Sequence, residues 1–502
     1  MKQPKLLREF DEAKDKALEA AQKLNVYAVI RFNKNERIAL NWQNDGIESV
    51  RISAKNGVGL YAFTPSGHVG FASSNETSPK NVCNLVSSAA AIAKANQKAG
   101  AESAKEMFDL PVQDNVGEDT LHYSVIEVAE IDQVSLAKYA RTLADFAKSC
   151  DTNITSTVNV SYEQVQWRIA RSDGTDVDFA LPYARVAMNM TLRKGETSTQ
   201  GFVRLFNPSL KKLTQNIVAA KNVISREVKM MNEQLGTKDV AQPGTEQPIL
   251  IAGDLAGTLV HEALGHPAES DAVAENSSVL GDENSRFTKG EQVAAKGVTV
   301  VDHEEGLNHG FHPYGVFGNK REPVTIIDDG ILQESLSDVF TAAKSGVSNK
   351  NTERSEDYSM VAIPRMSTTF IKLAPELLID KELDSTEPIA VQKLLKQHGI
   401  FKKYPKVHYL IGFRGGSVLP KTGTFMFGSG YTYELTANSV QAVKPASFSG
   451  DVLGALQAIE FGAGQLTTDD FGFCGKSGQR AFVSDGGHEL IFFKPTKHVG
   501  VA

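Results

Sequence analysis

The chain has 502 residues, a net charge of −7, and 23% charged against 41% hydrophobic residues. That is the composition of a chain that folds around a core, which excludes disordered, collagen-like and low-complexity classes. Its length exceeds what one core serves and predicts two or three domains, while 53 dispersed Lys and Arg without a basic block exclude nucleic acid as an expected partner.

No run approaches the roughly 20 apolar residues of a membrane span. Met1 to Asp11 is charged with no apolar signal core behind it. Three cysteines make no disulfide framework. A cytoplasmic, reducing setting away from membranes is expected. Cys83 and Cys150 fall in apolar helical stretches and are expected as small buried hydrophobes.

From Leu6 to Leu24 apolar residues recur at three- and four-residue steps, predicting an amphipathic helix. Val26 to Ser73 then breaks into short β-rich runs, VYAVIRF, ESVRIS, GLYAFT and HVGFAS, punctuated by Asn-Asp-Gly, Asn-Gly and Pro-Ser-Gly. These predict an antiparallel meander, covered by an alanine-rich helix from Pro79 to Lys98 that Gly100 closes. A polar stretch, Gln113 to Asp119, precedes a helix over Val134 to Cys150 and two long alternating segments, a second α+β unit.

A helical run over Leu210 to Leu235 ends in GTKDVAQPGTEQP, the best linker candidate. Beyond it come a short strand at Pro248 to Ala252, a helix from Leu255 capped by Asp254, and glycine-rich, strand-like sequence with helices only near Pro375, Ile389 and Asp451. The expected fold class is therefore α+β. A sheet-and-helix domain spans 1–112, a middle α+β domain 113–238, and a mainly β domain carrying a metal-binding helix 239–502.

The chemistry sits in GTLVHEALGHPAESD, Gly257 to Asp271, which resembles a metallohydrolase helix with Glu262 between two imidazoles. In the familiar pattern the histidines are four apart on one helix face and the Glu activates the metal-bound water. Here His261 and His266 are five apart. A regular helix turns that spacing through about 140° and points the rings away from each other. Chelation therefore predicts a π-type turn, or a helix that stops between Gly265 and Pro267.

Zinc in a catalytic site takes three protein ligands and leaves one position for water. The third could be Glu269 or Asp271, which could equally hold the imidazole N–H groups, or Cys474 in the glycine-rich FGFCGKSGQ, where Lys476 could favour the thiolate.

HEALGHPAESD at His261, PRMSTT at Pro364, GGSVLPKTGTFMF at Gly415 and CGKSGQ at Cys474, in that order, resemble the motifs of the TldD/PmbA (TldD/TldE) metallopeptidase family over most of the chain. The resemblance implies one Zn2+ per subunit on His261, His266 and Cys474, with Glu262 as base. It implies cleavage of peptides or partly unfolded polypeptides, in a homodimer or a heterodimer with a metal-free sister subunit, and the retained motif matches the active subunit. A non-catalytic, chaperone-like partner and a zinc amidase for small acylated substrates are the alternatives.

Gly415 and Gly416 suit main-chain pairing with an extended substrate. Arg365 suits a substrate carboxylate or a buried ion pair, and Lys476, His408 and Tyr314 are candidates to steady an oxyanion. The sequence departs from the family's pattern in DHEEGLNHGFHPYGVFGNKREP and at His488. His303, His309, His312 and His488 are expected as solvated loop residues.

Overall fold

The computed structural model describes residues 6–43, 46–114, 126–240, 243–303, 306–383 and 385–502. Asn44 and Asp45 of the expected Asn-Asp-Gly turn, most of the polar stretch Gln113–Asp119, and Ala241 and Gln242 of the expected linker lie outside those residues.

The chain opens with α1 (Asp11–Leu24), followed by two long strands, β1 (Tyr27–Gln43) and β2 (Gly46–Phe63), a short one, β3 (Val69–Ser74), and α2 (Pro79–Lys98). Then come α3 (Gln133–Cys150), β4 (Ile154–Arg171), β5 (Asp176–Lys194), β6 (Thr197–Asn207), α4 (Leu210–Gln215) and α5 (Ile217–Gln234). The helices form where local signals agree. Ser78 caps α2 through Asn81 N–H with Pro79 at its first position, and Asp132 accepts from Val134 and Ser135 at the start of α3. Each such cap is worth about 1 kcal/mol.

The meander has fewer and longer strands than expected. Asn56-Gly57 does not turn but lies inside β2, opposite Lys34 and Asn33 of β1. The glycines there serve close approach, since a Cβ on Gly57 or Gly59 would collide with Tyr358. The two segments on either side of residue 113 also share one sheet, of order β3-β2-β1-β4-β5-β6, because β1 pairs antiparallel with β4 along Val29 to Gln43. The apolar faces of α1 and α2 cover one part of this sheet through Ala17, Ala21, Val82 and Val86. α3 and α5 cover another, through Leu143 and Ile224, in a core that continues into Tyr409 and Phe492.

The cysteine expectation fails in both helices. Cys150 is the exposed last residue of α3 and Cys83 is only partly covered. α2 buries Val82 and Val86 one step away from Cys83, so the thiol falls beside the buried stripe.

The remaining chain builds a second sheet. Its elements are β7 (Gly244–Thr245), β8 (Ile249–Ala252), α6 (Gly253–Thr258), α7 (Ser270–Ala274), β9 (Val298–Asp302), β10 (Val324–Asp328) and β11 (Ile331–Leu332). Next are α8 (Ala342–Ser345), the short pair β12 (Glu353–Arg354) and β13 (Ile363–Pro364), β14 (Thr368–Leu373), β15 (Leu378–Asp380), α9 (Pro388–Gln397) and α10 (Ile400–Lys403). The chain ends with β16 (Lys406–Leu419), β17 (Thr424–Thr436), β18 (Val440–Val443), β19 (Ser447–Asp451), α11 (Val452–Gln457), β20 (Ile459–Lys476), β21 (Gln479–Phe493) and β22 (Val499–Val501).

The mixed sheet runs β11-β10-β9-β14-β21-β8-β16-β17-β19-β22-β7, with β20 paired to β21. Three placements matter for the site. β8 lies between β21 and β16, buried on both faces as Ile249, Leu250 and Ile251, and feeds directly into α6. β21 pairs with β14 over Ser484 to Gly487. The β20–β21 hairpin, in register at Cys474 opposite Ala481 and Asp469 opposite Asp485, folds back over the end of α6.

Candidate metal centre

After Thr258 the helix widens into a π-helix over Leu259–Gly265, closed by a bond from His266 N–H to the His261 carbonyl at 3.2 Å. That i→i+5 bond is the distortion the five-residue spacing demands. The helix also ends there, with Gly265 its last residue and His266 its cap at φ −62° and ψ −44°, so the π-type turn and the stop before Pro267 occur together. Two glycines make the turn possible. A Cβ on Gly257 would stand 2.9 Å from that of Asp485, and one on Gly265 would overlap the Met366 sulfur. β21 and the PRMSTT segment can therefore close against the helix only where side chains are missing.

The turn brings the two imidazoles to 5.3 Å between ring centres and perpendicular to one another. One ligand atom each from His261, His266 and Cys474 lie within 4.8 Å of one another, and Cys474 Sγ is 3.2 Å from His266 Nε2. Each ring is fixed from behind. His261 Nδ1–H donates to Asp485 Oδ1 at 2.7 Å and His266 Nδ1–H to Glu269 Oε2 at 2.9 Å. This fixes Nδ1 as the N–H facing each carboxylate and directs Nε2 to the thiol side. Two imidazoles and a thiolate, buried and oriented by carboxylates, are a donor set that suits zinc. Glu262 stands beside them, half-buried, with Oε2 3.8 Å from His266 Nε2.

The electrostatics favour the charged forms. Burial pushes the Cys474 thiol up, but His261 and His266 outweigh it and hold the thiol at about 5. Burial pulls His266 down, but Glu269 and Cys474 outweigh it and raise the imidazole to about 10. His261 rises well above its ordinary value against the same burial, through Asp485 and Cys474. Burial of Glu269 is outweighed by Lys476 and His266, which bring it down to about 2.

Lys476 occupies a different place from the one expected. Its ammonium donates to Glu269 Oε2 at 2.8 Å and to Asp271 Oδ1 at 2.7 Å, so it neutralises the carboxylates behind His266, while the histidines lower the thiol. Asp271 reaches neither imidazole.

Arg365 also turns inward. It is buried, donates from Nη2 to the Cys474 carbonyl at 2.6 Å and lies 4.0 Å from Glu269 Oε1. The ion-pair use applies to it, and its burial leaves no approach for a substrate carboxylate. Gly415 and Gly416 are exposed at a bulge between Phe413 and Gly416, where β16 pairs with β17, and neither lines the cavity beside His261. Their neighbours Phe413 and Arg414 line the cleft instead.

The extra histidines are mostly buried. His309 sits among Tyr183, Phe206, Phe473 and Phe482, where burial and Arg185 lower it to about 3. His312 is buried against Phe179, and His488 bonds the Gly464 carbonyl at 2.9 Å. These three are not solvated, because the loop carrying His309 and His312 packs against Tyr183 and Phe179 of β5, while His488 lies within β21, opposite Leu466 of β20. His303 is only partly covered. His408 and Tyr314 are buried, His408 near Glu434 and Tyr314 against Phe179, which leaves neither open to an oxyanion.

Asp485 was missed in the sequence. It lies in VSDGGHEL among unremarkable turn-type residues, and only its register opposite Asp469 in the β20–β21 hairpin and its place beside α6 reveal it.

A cavity of about 280 Å³ opens beside His261 and Glu262, walled by Phe413, Phe471, Phe473 and Arg204. A larger one of about 400 Å³ adjoins it through Arg204, Phe413 and Asp469, between β6, α5 and the second sheet. An α+β protein with an open cleft over a His-His-Cys group able to hold a metal is the class these features define.

Comparison with known proteins agrees. Family models described as PmbA/TldA metallopeptidase domain 1, central domain and C-terminal domain match residues 28–93, 126–230 and 244–479. The chain belongs to the PmbA/TldD metallopeptidase family. It is similar to Metalloprotease MJ0996 of Methanocaldococcus jannaschii, at 26% identity over 92% of this chain and 94% of that one. A Metalloprotease of Archaeoglobus fulgidus is 33% identical over about half of each chain, 50% and 53%. A Zinc metalloprotease TldD homolog of Saccharolobus solfataricus is 28% identical over 49% and 50%. In fold the chain is similar to TldE from Thermococcus kodakarensis, with a TM-score of 0.72 at 16% identity, covering 98% of this chain and 100% of that one.

Proposed function

We propose that this chain is a zinc-dependent peptidase, the metal-bearing TldD-type subunit, which hydrolyses peptides or partly unfolded polypeptides with Glu262 as base. The convergence of His261, His266 and Cys474 on one point, with each imidazole oriented by its own carboxylate, is the observation that carries the reading. The zinc named for one relative is consistent with it.

When bound there, zinc supplies Lewis acidity toward the scissile carbonyl. The protein's residues do the rest. Asp485 and Glu269 hold the imidazoles with Nε2 facing the thiol. Glu262, at the cavity wall, takes a proton from the attacking water and can return it to the leaving nitrogen. Phe413, Phe471 and Phe473 limit water around that transfer.

As the resemblance implies, the subunit pairs with itself or with a metal-free sister. Three cysteines and no cystine framework suit a reducing cytoplasm. Among the described residues no helix is long and apolar enough to cross a membrane.

The test is Glu262→Ala. It should retain the metal and lose peptide turnover by about 10²–10⁴-fold. Turnover at the wild-type rate would remove Glu262 as base, and hydrolysis of acylated amino acids in preference to a peptide panel would favour an amidase.

A further inference from the structure

The peptidase reading leaves open what enters the cavity beside Glu262, and the walls answer in part. Three of them are aromatic, Phe413, Phe471 and Phe473, and Phe473 is 40% exposed. A ring left facing water at the mouth of a cavity is stabilised by an apolar group that covers it, at about 25 cal/mol per Å² buried.

Apart from the metal-site histidine, the only basic side chain lining this cavity is Arg204. It lies on β6, the edge strand of the first sheet, opposite Ala187 of β5. Strand alternation puts Phe202, Arg204 and Phe206 on one face, and all three line the cleft. Arg204 itself lines the metal cavity and both cavities that adjoin it, which places it at their junction.

Arg226 lines only the larger cavity and not the one beside His261, and the remaining guanidiniums near the cleft are engaged. Arg414 donates to the Gln200 carbonyl and stacks on Phe202 and Tyr431, Arg185 pairs with Glu163, and Arg365 holds Cys474. Among the described residues Arg204 has no hydrogen-bond or ion-pair partner, and it is exposed. The acids nearest in the wall do not take that place. Asp485 is committed to His261, and Asp469 feels the Arg204 charge without pairing with it. Burial, with Asp485 and Asp254, pushes the Asp469 carboxyl up to about 7.

We propose that Arg204 receives the C-terminal carboxylate of a peptide whose last residue places an apolar side chain among Phe413, Phe471 and Phe473. A guanidinium matches a carboxylate with two parallel N–H bonds, which gives direction as well as attraction. Fixing the terminus there sets the last peptide bond beside Glu262. The substrate class is then peptides ending in a free, apolar residue, released from the C-terminus. This specificity rests on the peptidase reading of the same site.

The experiment separates the two. The zinc-loaded full chain carrying Glu262→Gln is titrated with a fluorescein-labelled pentapeptide ending in Leu-Phe, as the free acid and as the amide, and anisotropy is read. The acid should bind at least about 10-fold tighter. Adding Arg204→Ala should abolish the gap, Arg204→Lys should restore part of it, and replacing the terminal Phe by Asp or Lys should weaken binding about 10-fold.

Equal binding of acid and amide, a gap that survives Arg204→Ala, or tighter binding of a charged terminal residue overturns the proposal. Hydrolysis of the same peptides by the wild-type chain is scored separately. No hydrolysis with the binding gap intact removes the peptidase reading alone, whereas equal hydrolysis of acid and amide removes this specificity alone.

Discussion

The candidate metal centre has two halves that are built differently. His266 is held by Glu269, three residues away, inside a buried network that includes Lys476, Asp271 and Arg365. His261 is held by a single carboxylate, Asp485, 224 residues away on β21. One half is a local motif with a charged shell, and the other is a tertiary contact that exists only once the second sheet has formed. The difference teaches that similar chemistry at the two rings rests on different energetics. Loss of a partner should unfold the neighbourhood on the His266 side and mainly release the metal on the His261 side.

Cys474 belongs to both halves, and its removal is the largest expected effect. Cys474→Ser should lower metal affinity by about 100-fold or more and abolish turnover, with a fall in thermal midpoint for the metal-loaded protein. Metal analysis beside thermal unfolding checks it, and full metal content in the variant would remove the thiol from the ligand set.

The same variant gives a pH experiment on the metal-free protein. His266 is raised from 6.5 to about 10, so its contribution to stability is present below 6.5 and lost as pH rises through about 10. Cys474 is lowered from 9.0 to about 5, so its contribution is present above 9.0 and lost as pH falls through about 5. The stability advantage of wild type over Cys474→Ser should be widest between about 6.5 and 9 and should narrow on both sides. Denaturant midpoints across pH 5–10 measure it, and an advantage that grows steadily to pH 10 would contradict the pairing.

Glu269→Gln comes next and bears directly on the comparison. It leaves Arg365 and Lys476 with less negative charge in a buried site, a change that costs about 3–5 kcal/mol when a buried pair is broken. Asp485→Asn should differ in kind. Its carbonyl can still accept from His261 Nδ1, so folding should change little while metal affinity falls about 10-fold. Equal losses of stability in the two variants would break the distinction between the halves.

This contrast also marks what was legible in the sequence. His261, Glu262, His266 and Glu269 lie within nine residues, and the five-residue spacing already demanded a distorted turn. Cys474 was readable through its glycine-rich surroundings and became specific only by family resemblance. Asp485 carried no pattern, because its role depends on the place of β21 between β14 and β8 and on the missing side chain at Gly257. The same division runs through the fold. α2 was readable from Pro79 to Lys98 because cap, composition and period agree, whereas Gly57 was misread as a turn because its neighbour Tyr358 lies 301 residues away in sequence. Local signals reach about one helix or hairpin, and strand partners such as β1 and β4 lie beyond them.

The smallest expected effect is the sharpest control on the His266 side. Asp271 touches Lys476 at 2.7 Å, but Glu269 holds the same ammonium at 2.8 Å and reaches His266 as well. Burial raises the Asp271 carboxyl, and Lys476 offsets this only in part, so its charge is already poorly stabilised. Asp271→Asn removes that charge, keeps an oxygen for Lys476 and leaves the Glu269–His266 bond untouched. It should therefore change stability by less than about 1 kcal/mol and leave metal content at the wild-type level. Comparison with Glu269→Gln in one denaturation series then isolates the carboxylate that couples the charged network to the metal ring. A loss from Asp271→Asn as large as that from Glu269→Gln would show that the network acts as an undivided unit.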